Sequence, residues 1–261
     1  MWYGSGEHVW ALMTASHSTA RRLAFGVDPS RPERYSLRQA RYAALADDIS
    51  AWAGAAARRG KTLALLDVGC GWGPLLRHLD TKPHFDNIEI SAADVTDAAL
   101  YRKDLYRDYV IGDLTGGYPE IPSEHYEIVV CEQVLEHLAA LDTAMATLVR
   151  VLRPGGILVI GVPIFLPPLH LARKHLVPLL PGSLRPDDST HQQAFSLASF
   201  LRELRKQPAL TVETVRGFRI ISGGLLRPLE NYRWWWRFNR RLGELLPAAC
   251  IEVQIIARKA G

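Results

Sequence analysis

Short apolar runs alternate with helix-like segments through the middle of the chain, from about residue 36 to residue 162. Each run is continuously apolar, which is typical of strands buried on both faces rather than on one. Strands that alternate with helices predict a parallel sheet covered on both faces by right-handed crossovers. The predicted strands lie at 63–68, 87–93, 109–111, 126–131 and 157–162.

A three- and four-residue period predicts the helices between these strands. The first helix runs from Ser36, its predicted N-cap, to about Arg58, and its periodic face includes the charged residues Arg41 and Asp48. Gly60 ends it. Further helices are predicted at 74–79, 97–106, 142–152 and 196–206, with a turn at 153–156.

The last third of the chain follows a different pattern. A proline-rich insertion is predicted at 163–186, and β-rich runs at 210–221 and 250–258 are expected to pair as a terminal hairpin at the sheet edge. We therefore divide one domain into an N-terminal helical cap with the first helix at 1–60, a core at 61–162, and an insertion with the hairpin at 163–261.

The stretch from Leu63 to Gly73 dominates the candidate chemistry. It combines a buried strand, the acidic Asp67 and a glycine at every second position from Gly69. Glycine lets backbone approach a ligand closely, although similar turns also occur in loops that bind nothing. Asp94 ends the second strand about 20 residues later, where nucleotide-binding α/β units place a carboxylate for the ribose hydroxyls.

Composition narrows the functional classes only slightly. The net charge of +4 and pI near 9.0 arise without a block of Lys or Arg, which permits an anionic partner without requiring one. The three cysteines are widely spaced, so neither a zinc site nor a disulfide framework is indicated. A cytoplasmic protein is expected, because no signal peptide is recognised and prolines interrupt the apolar region at 157–180.

Four ordered segments together resemble the class I S-adenosylmethionine-dependent methyltransferases, in particular small-molecule enzymes with a Leu-Glu-His signature. They are the glycine motif at 66–73 together with Asp94 as the ribose-binding acid, then Gly112-Asp113-Leu114, the segment at 126–137, and Leu152-Arg153-Pro154-Gly155-Gly156. The resemblance implies a Rossmann-like, seven-stranded, mostly parallel sheet with an antiparallel C-terminal hairpin. It also implies S-adenosylmethionine as cofactor and S-adenosylhomocysteine as product.

The resemblance also assigns roles to individual residues. Asp67 would orient the methionine ammonium, Asp94 would bind both ribose hydroxyls, and Asp113 would accept from the adenine amino group. Gln133 stands where quinone-intermediate methyltransferases carry a Glu implicated in metal binding, so no metal is expected. The implied cofactor-binding residues are Asp67, Gly69, Cys70, Gly71, Gly73, Asp94, Val95, Asp113, Leu114 and Cys131.

Two histidines are the candidate catalytic bases. Methyl transfer is mainly a matter of alignment, and a base is needed only where the acceptor must lose a proton. His137 follows the fourth strand beside the expected methyl position, and His191 lies in the variable acceptor region. Either side chain could instead be structural, as a histidine near a helix start often is.

An aromatic and basic segment at 227–246 contains Trp234, Trp235 and Trp236. Tryptophan beside arginine suits a membrane interface, but Trp235, Phe238, Leu242 and Leu245 recur at helical spacing and favour a helix packed over the sheet or acceptor pocket. Nucleic-acid bases are not expected as substrates, because the Asn/Asp-Pro-Pro-aromatic element typical of amino methylation on bases does not follow the fourth strand.

The leading hypothesis is a cytoplasmic methyltransferase acting on oxygen, or less readily on nitrogen or carbon, of a small or lipid-linked metabolite. This hypothesis includes peripheral membrane contact through Trp234, Trp235 and Trp236. One alternative is a non-catalytic methyltransferase-like binding protein at a membrane surface. The other is an NAD-dependent oxidoreductase, which Pro74 after the third glycine and the unexplained Asp113 and Leu-Glu-His elements disfavour.

Overall fold

The structure, a computed structural model, describes residues 37–97, 101–166, 192–220 and 224–261. Seven strands form one sheet in the order β3-β2-β1-β4-β5-β7-β6. The strands are β1 (Leu63–Val68), β2 (Ile88–Asp94), β3 (Tyr109–Ile111), β4 (Tyr126–Glu132), β5 (Leu152–Pro163), β6 (Leu210–Phe218) and β7 (Glu252–Lys259). The first five are parallel, and β7 pairs antiparallel with both β5 and β6, which confirms the predicted fold class and terminal hairpin.

Helices cover both faces of this sheet. The α-helices among the described residues are α1 (Ala40–Ala57), α2 (Pro74–Leu79), α3 (Leu141–Val151), α4 (Leu197–Arg205) and α5 (Arg233–Leu245). Successive strand residues point to opposite faces, so Leu65 packs with α1 and α2 while Leu66 packs with α3 and α4. The predicted cap at 1–34 and insertion at 163–186 fall wholly or mostly outside the described residues.

Two local predictions are wrong for identifiable reasons. The helix predicted through Tyr106 is a single 3₁₀ turn, Lys103–Leu105, in the described part of that segment. Arg102 has a left-handed backbone with φ of 44°, and such a residue interrupts a helix. The turn predicted at 153–156 lies inside β5, where pairing jumps from Leu152 opposite Tyr126 to Ile157 opposite Ile128, so the intervening residues bulge from the sheet.

Helix α5 forms as predicted, but with a different buried face. Its buried residues are Trp235, Trp236, Asn239 and Gly243, whereas Phe238 and Leu245 are exposed. A Cβ atom at Gly243 would lie 2.0 Å from the Gly217 carbonyl oxygen of β6. The close approach of helix and strand at this glycine therefore sets the rotation of α5 on the sheet.

Candidate cofactor and active site

The turn after β1 is closed on one side and open on the other. Gly69 has φ of +71°, and a Cβ there would lie 2.1 Å from the Val134 side chain, so no larger residue fits. A Cβ at Gly71 would meet no heavy atom within 4 Å. The turn therefore presents bare backbone to an open space at the carboxyl edge of the sheet, where ligands of parallel sheets bind.

Asp67, the penultimate residue of β1, places a buried carboxyl group with one unsatisfied oxygen close to this turn. Its side chain is 4% exposed, and its Oδ2 atom has no hydrogen-bond partner among the described residues. Burial, reinforced by Glu132 and Asp94, raises its pKa to about 7. A buried carboxylate without a partner is costly, so a cationic ligand group at this position would be stabilised. This hydrogen-bond acceptor fits the methionine ammonium of S-adenosylmethionine, which is a donor.

Asp94 connects the turns after β1 and β2. Its Oδ2 accepts a hydrogen bond from the Gly71 amide at 2.8 Å, and its Oδ1 accepts from the Thr96 amide at 3.3 Å. A carboxylate offers about four acceptor positions, so both oxygens retain capacity for hydroxyl donors. The position therefore suits ribose binding, as the sequence predicts.

The remaining predicted cofactor residues surround the same edge of the sheet. Asp113 accepts a hydrogen bond from the Thr115 amide at 2.8 Å through Oδ1 and begins the 3₁₀ turn Leu114–Gly116, which leaves Oδ2 for the predicted adenine contact. Val95 is exposed. The side chains of Cys70, Leu114 and Cys131 are buried, so a cofactor contact from these residues would come from their main chain.

The candidate base His137 lies in the 3₁₀ turn Leu135–His137 that follows β4. Its side chain is 39% exposed, and its Nε2 lies 3.9 Å from Oε1 of Glu136, too far for a direct hydrogen bond. Glu136 itself is 1% exposed, and burial raises its pKa to about 8. An exposed imidazole thus lies beside a buried acid, an arrangement that the sequence pattern does not predict.

The second candidate, His191, lies outside the described residues. The residues that directly follow it, Gln192 and Gln193, donate backbone hydrogen bonds at 2.8 and 2.9 Å to the Glu136 carbonyl. The chain therefore returns from the insertion to the turn that carries His137.

A buried polar network lies behind the site. Arg41 of α1 contacts Glu132 of β4 at 3.2 Å and Glu252 of β7 at 2.6 Å. Arg219 contacts the second oxygen of Glu252 at 2.6 Å, and Gln254 donates to Glu132 at 2.6 Å. The network continues from Gln254 through Arg216 to Asp48 of α1. It joins the first helix to the C-terminal strands across the end of β4.

A pocket of about 290 Å³ lies between this network and the glycine turn. Both Trp72 and Pro74 of the turn line it, together with Gln133, which follows β4. Its other lining residues are Gln39, Arg41, Tyr42, Arg219 and Glu252. The pocket adjoins the predicted methionine end of the cofactor, which is where a methyl acceptor must bind.

The sequence contains a partial signal for this network. Arg41 and Asp48 interrupt the apolar face of the first helix, and Glu252 and Gln254 alternate on one face of the last strand. Charges on a buried face predict ionic or hydrogen-bonded partners. The partners themselves depend on how β7 inserts beside β5, and local sequence does not specify that.

The described residues contain neither a metal-ligand cluster nor a membrane-spanning helix. No group of three or more His, Cys, Asp or Glu side chains in those ranges could hold a metal ion. No helix in the same ranges has both the length and the apolar character needed to cross a membrane.

Comparisons with known proteins identify the domain. Residues 66–160 match the family model described as "Methyltransferase domain". A crystal structure of a proposed methyltransferase from Bacillus halodurans shares the fold, with a TM-score of 0.53 and 16% identity over 77% of this chain and 94% of that one. The family match and the fold define a class I S-adenosylmethionine-dependent methyltransferase domain, with S-adenosylmethionine as its cofactor. The family match therefore indicates a methyltransferase rather than the oxidoreductase alternative.

Two sequence relatives share one description. The human mitochondrial ubiquinone biosynthesis O-methyltransferase is 27% identical over 74% of this chain and 51% of its own length. The ubiquinone biosynthesis O-methyltransferase of Rickettsia bellii (strain OSU 85-389) is 30% identical over 38% of this chain and 41% of its own. The chain thus spans about half, or less, of these curated relatives.

The fold also supports a different reaction. The [4+2]-cyclase SpnF aligns with a TM-score of 0.50 and 18% identity over 82% of this chain and 81% of that one. The acceptor and the reaction therefore have to be argued from the residues of the site rather than from the fold.

Replacing Asp94 with alanine is expected to weaken S-adenosylmethionine binding about 10- to 100-fold, because charged hydrogen bonds to the ribose are lost. The turn would also lose the bond from the Gly71 amide. Calorimetric titration measures the change. Asp97→Ala is the matched control, since its exposed carboxylate pairs with Lys103. Equal affinities for Asp94→Ala and wild type would show that the ribose contact is misassigned.

Cofactor affinity is expected to rise as pH increases through about 7. Burial raises the Asp67 pKa from 3.8 to about 7, so the carboxyl is largely protonated below that pH, whereas an ammonium favours the ionised form. Binding must then release a proton, and affinity should change by up to about tenfold per pH unit on the acidic side. Titrations across this range test the slope, and Asp67→Asn should bind weakly with a flat profile. A flat wild-type profile would contradict this assignment.

Proposed function

We propose that this methyltransferase domain methylates an oxygen of a small or lipid-linked metabolite. The observation that carries the proposal is the pocket beside the glycine turn, with His137 after the same strand as the pocket residue Gln133. The relatives described as ubiquinone biosynthesis O-methyltransferases support oxygen as the acceptor atom.

When bound, S-adenosylmethionine would supply an activated methyl group on its sulfonium. Asp67, Asp94 and Asp113 would hold its ammonium, ribose and adenine. The glycine turn excludes bulky side chains from the methionine end and allows close backbone contact. His137 accepts the hydroxyl proton at Nε2, and ionised Glu136 stabilises the resulting imidazolium. His191 remains a candidate for a second acceptor-side group.

The proposal places the protein in the cytoplasm, in agreement with its three buried, free cysteines. A lipid-linked acceptor would require access to a membrane surface, so peripheral membrane contact is part of the proposal. Nucleic acid is not among the proposed partners.

Transfer of a labelled methyl group from S-adenosylmethionine to a panel of phenols and catechols, with and without an alkyl chain, tests this function. We expect label in an O-methyl product of one or more of these hydroxyl acceptors. Label on an amine panel instead would overturn the oxygen assignment. Cofactor binding without transfer to any acceptor class would favour the non-catalytic binding protein.

A further inference from the structure

Exposed apolar side chains concentrate in one region of the surface. Of the twelve large apolar residues exposed within the described ranges, seven lie between Leu226 and Ile251. They include Trp234, Phe238 and Leu245 on α5, which are 57%, 43% and 75% exposed. A contiguous exposed apolar cluster often marks an interaction surface, whereas apolar residues scattered singly over a surface are common and need no partner.

Helical geometry arranges these side chains into a stripe. At about 100° per residue, Trp234, Phe238 and Leu245 fall within about 40° of one another around the axis of α5. The exposed residues Arg233, Arg237 and Arg241 form a second stripe directly beside them, within about 80°. We name these six residues the docking face.

The opposite side of α5 is fixed to the protein. Trp235 and Trp236 are each 7% exposed, and Trp236 packs in one cluster with Phe218 of β6 and with Leu37 and Ala40 at the start of α1. Two of the three tryptophans are therefore structural, and only Trp234 is available to a partner. The packed inner face holds the docking face rigid.

We propose that the docking face binds the surface of an anionic lipid membrane, with α5 lying in the interfacial plane. An aromatic and leucine stripe beside arginines is the composition of interfacial helices, since the rings enter the headgroup region and the guanidiniums pair with phosphates. Glu244, the one acidic residue of α5, ion-pairs with Arg240 at 3.5 Å and so offsets little of this charge. This inference rests on the peripheral membrane contact of the proposed function and deepens it, and its vesicle test contains no methyl acceptor, so its failure can be distinguished from failure of methyl transfer.

Charge also argues against a second copy of the chain as the occupant. A two-fold symmetric contact through this face would bring the same three arginines against each other, and like charges brought together at an interface oppose association. Phosphate-rich lipid headgroups complement the face instead.

Flotation with phosphatidylcholine vesicles, with and without phosphatidylglycerol, tests the proposal. Each arginine near an anionic surface raises affinity about fivefold, so the wild type should bind the mixed vesicles about 100-fold better than phosphatidylcholine alone and lose this preference in high salt. Replacing Arg233, Arg237 and Arg241 with glutamine should abolish the preference. Trp234→Ala with Phe238→Ala should weaken binding to both vesicles about tenfold or more.

Matched controls separate docking from general effects. Replacing the exposed arginines Arg58, Arg59 and Arg205 with glutamine removes the same charge elsewhere and should leave flotation unchanged. Val212→Ala removes an exposed apolar residue of β6 with the same expectation. Thermal melting confirms that each variant is folded. Absence of wild-type flotation, equal loss in the controls, or a concentration-dependent dimer that the docking-face variants abolish would overturn the proposal.

Discussion

Replacing Arg41 with alanine is expected to lower the free energy of unfolding by about 3–5 kcal/mol, because it leaves two buried carboxylates without their shared cation. Arg41 lies 3.2 Å from Glu132 and 2.6 Å from Glu252, and both acids are about 5% exposed. Urea denaturation measures the loss. Lys82→Ala is the control, because its pair with Asp47 is on the surface and should contribute less than about 1 kcal/mol.

The loss of unfolding free energy in Arg41→Ala should be smaller at acidic pH. Burial raises the Glu132 pKa from 4.5 to about 7 even with Arg41 present, and loss of the guanidinium must raise it further. The folded variant then binds a proton that the unfolded chain does not, so its stability relative to wild type falls as pH rises through 7 and recovers below it. A loss smaller than that of Lys82→Ala, or a deficit that grows on acidification, would contradict a buried ionic role.

Removing the imidazole with His137→Ala should lower kcat about 100-fold while the Kd for S-adenosylmethionine stays unchanged, since a general base acts on the acceptor and not on the cofactor. Steady-state transfer to the acceptor found in the labelled-methyl assay measures kcat. His125→Ala is the matched control, because His125 precedes β4 at the opposite end of the strand. An unchanged kcat would assign His137 a structural role.

The pH dependence of kcat distinguishes a catalytic role of His137 from a structural one. Burial raises the Glu136 pKa to about 8, and only the ionised acid stabilises an imidazolium on His137. The wild-type kcat should therefore rise with pH toward about 8, and Glu136→Gln should lower kcat and flatten that rise. A wild-type profile already flat across this range would exclude the proposed acid and imidazole pair.

Local patterns predicted most of the architecture. The five parallel strands, the glycine turn and Asp94 depend on apolar runs and turn chemistry within a few residues, and all appear at or near the predicted positions, although β5 begins at Leu152 instead of Ile157. Class I methyltransferase identity followed from the order of these local elements.

Features that depend on distant contacts were not predicted. Gly243 meets Gly217 and thereby rotates α5, so Phe238 and Leu245 are exposed instead of buried. Arg41 finds its partners on β4 and β7, which lie 91 and 211 positions later in the chain. The sequence marks Glu136 only as part of the Leu-Glu-His signature, because its burial beside His137 arises from packing around the end of β4.

Calorimetric titration of the wild-type chain with S-adenosylmethionine, S-adenosylhomocysteine and NAD tests most directly which cofactor the chain binds. We predict saturable binding of both adenosyl sulfur compounds and none of NAD, because Asp67, Asp94 and Asp113 are proposed to accept from the ammonium, ribose and adenine donors at one edge of the sheet. Binding of NAD with no detectable binding of either sulfur compound would contradict the account.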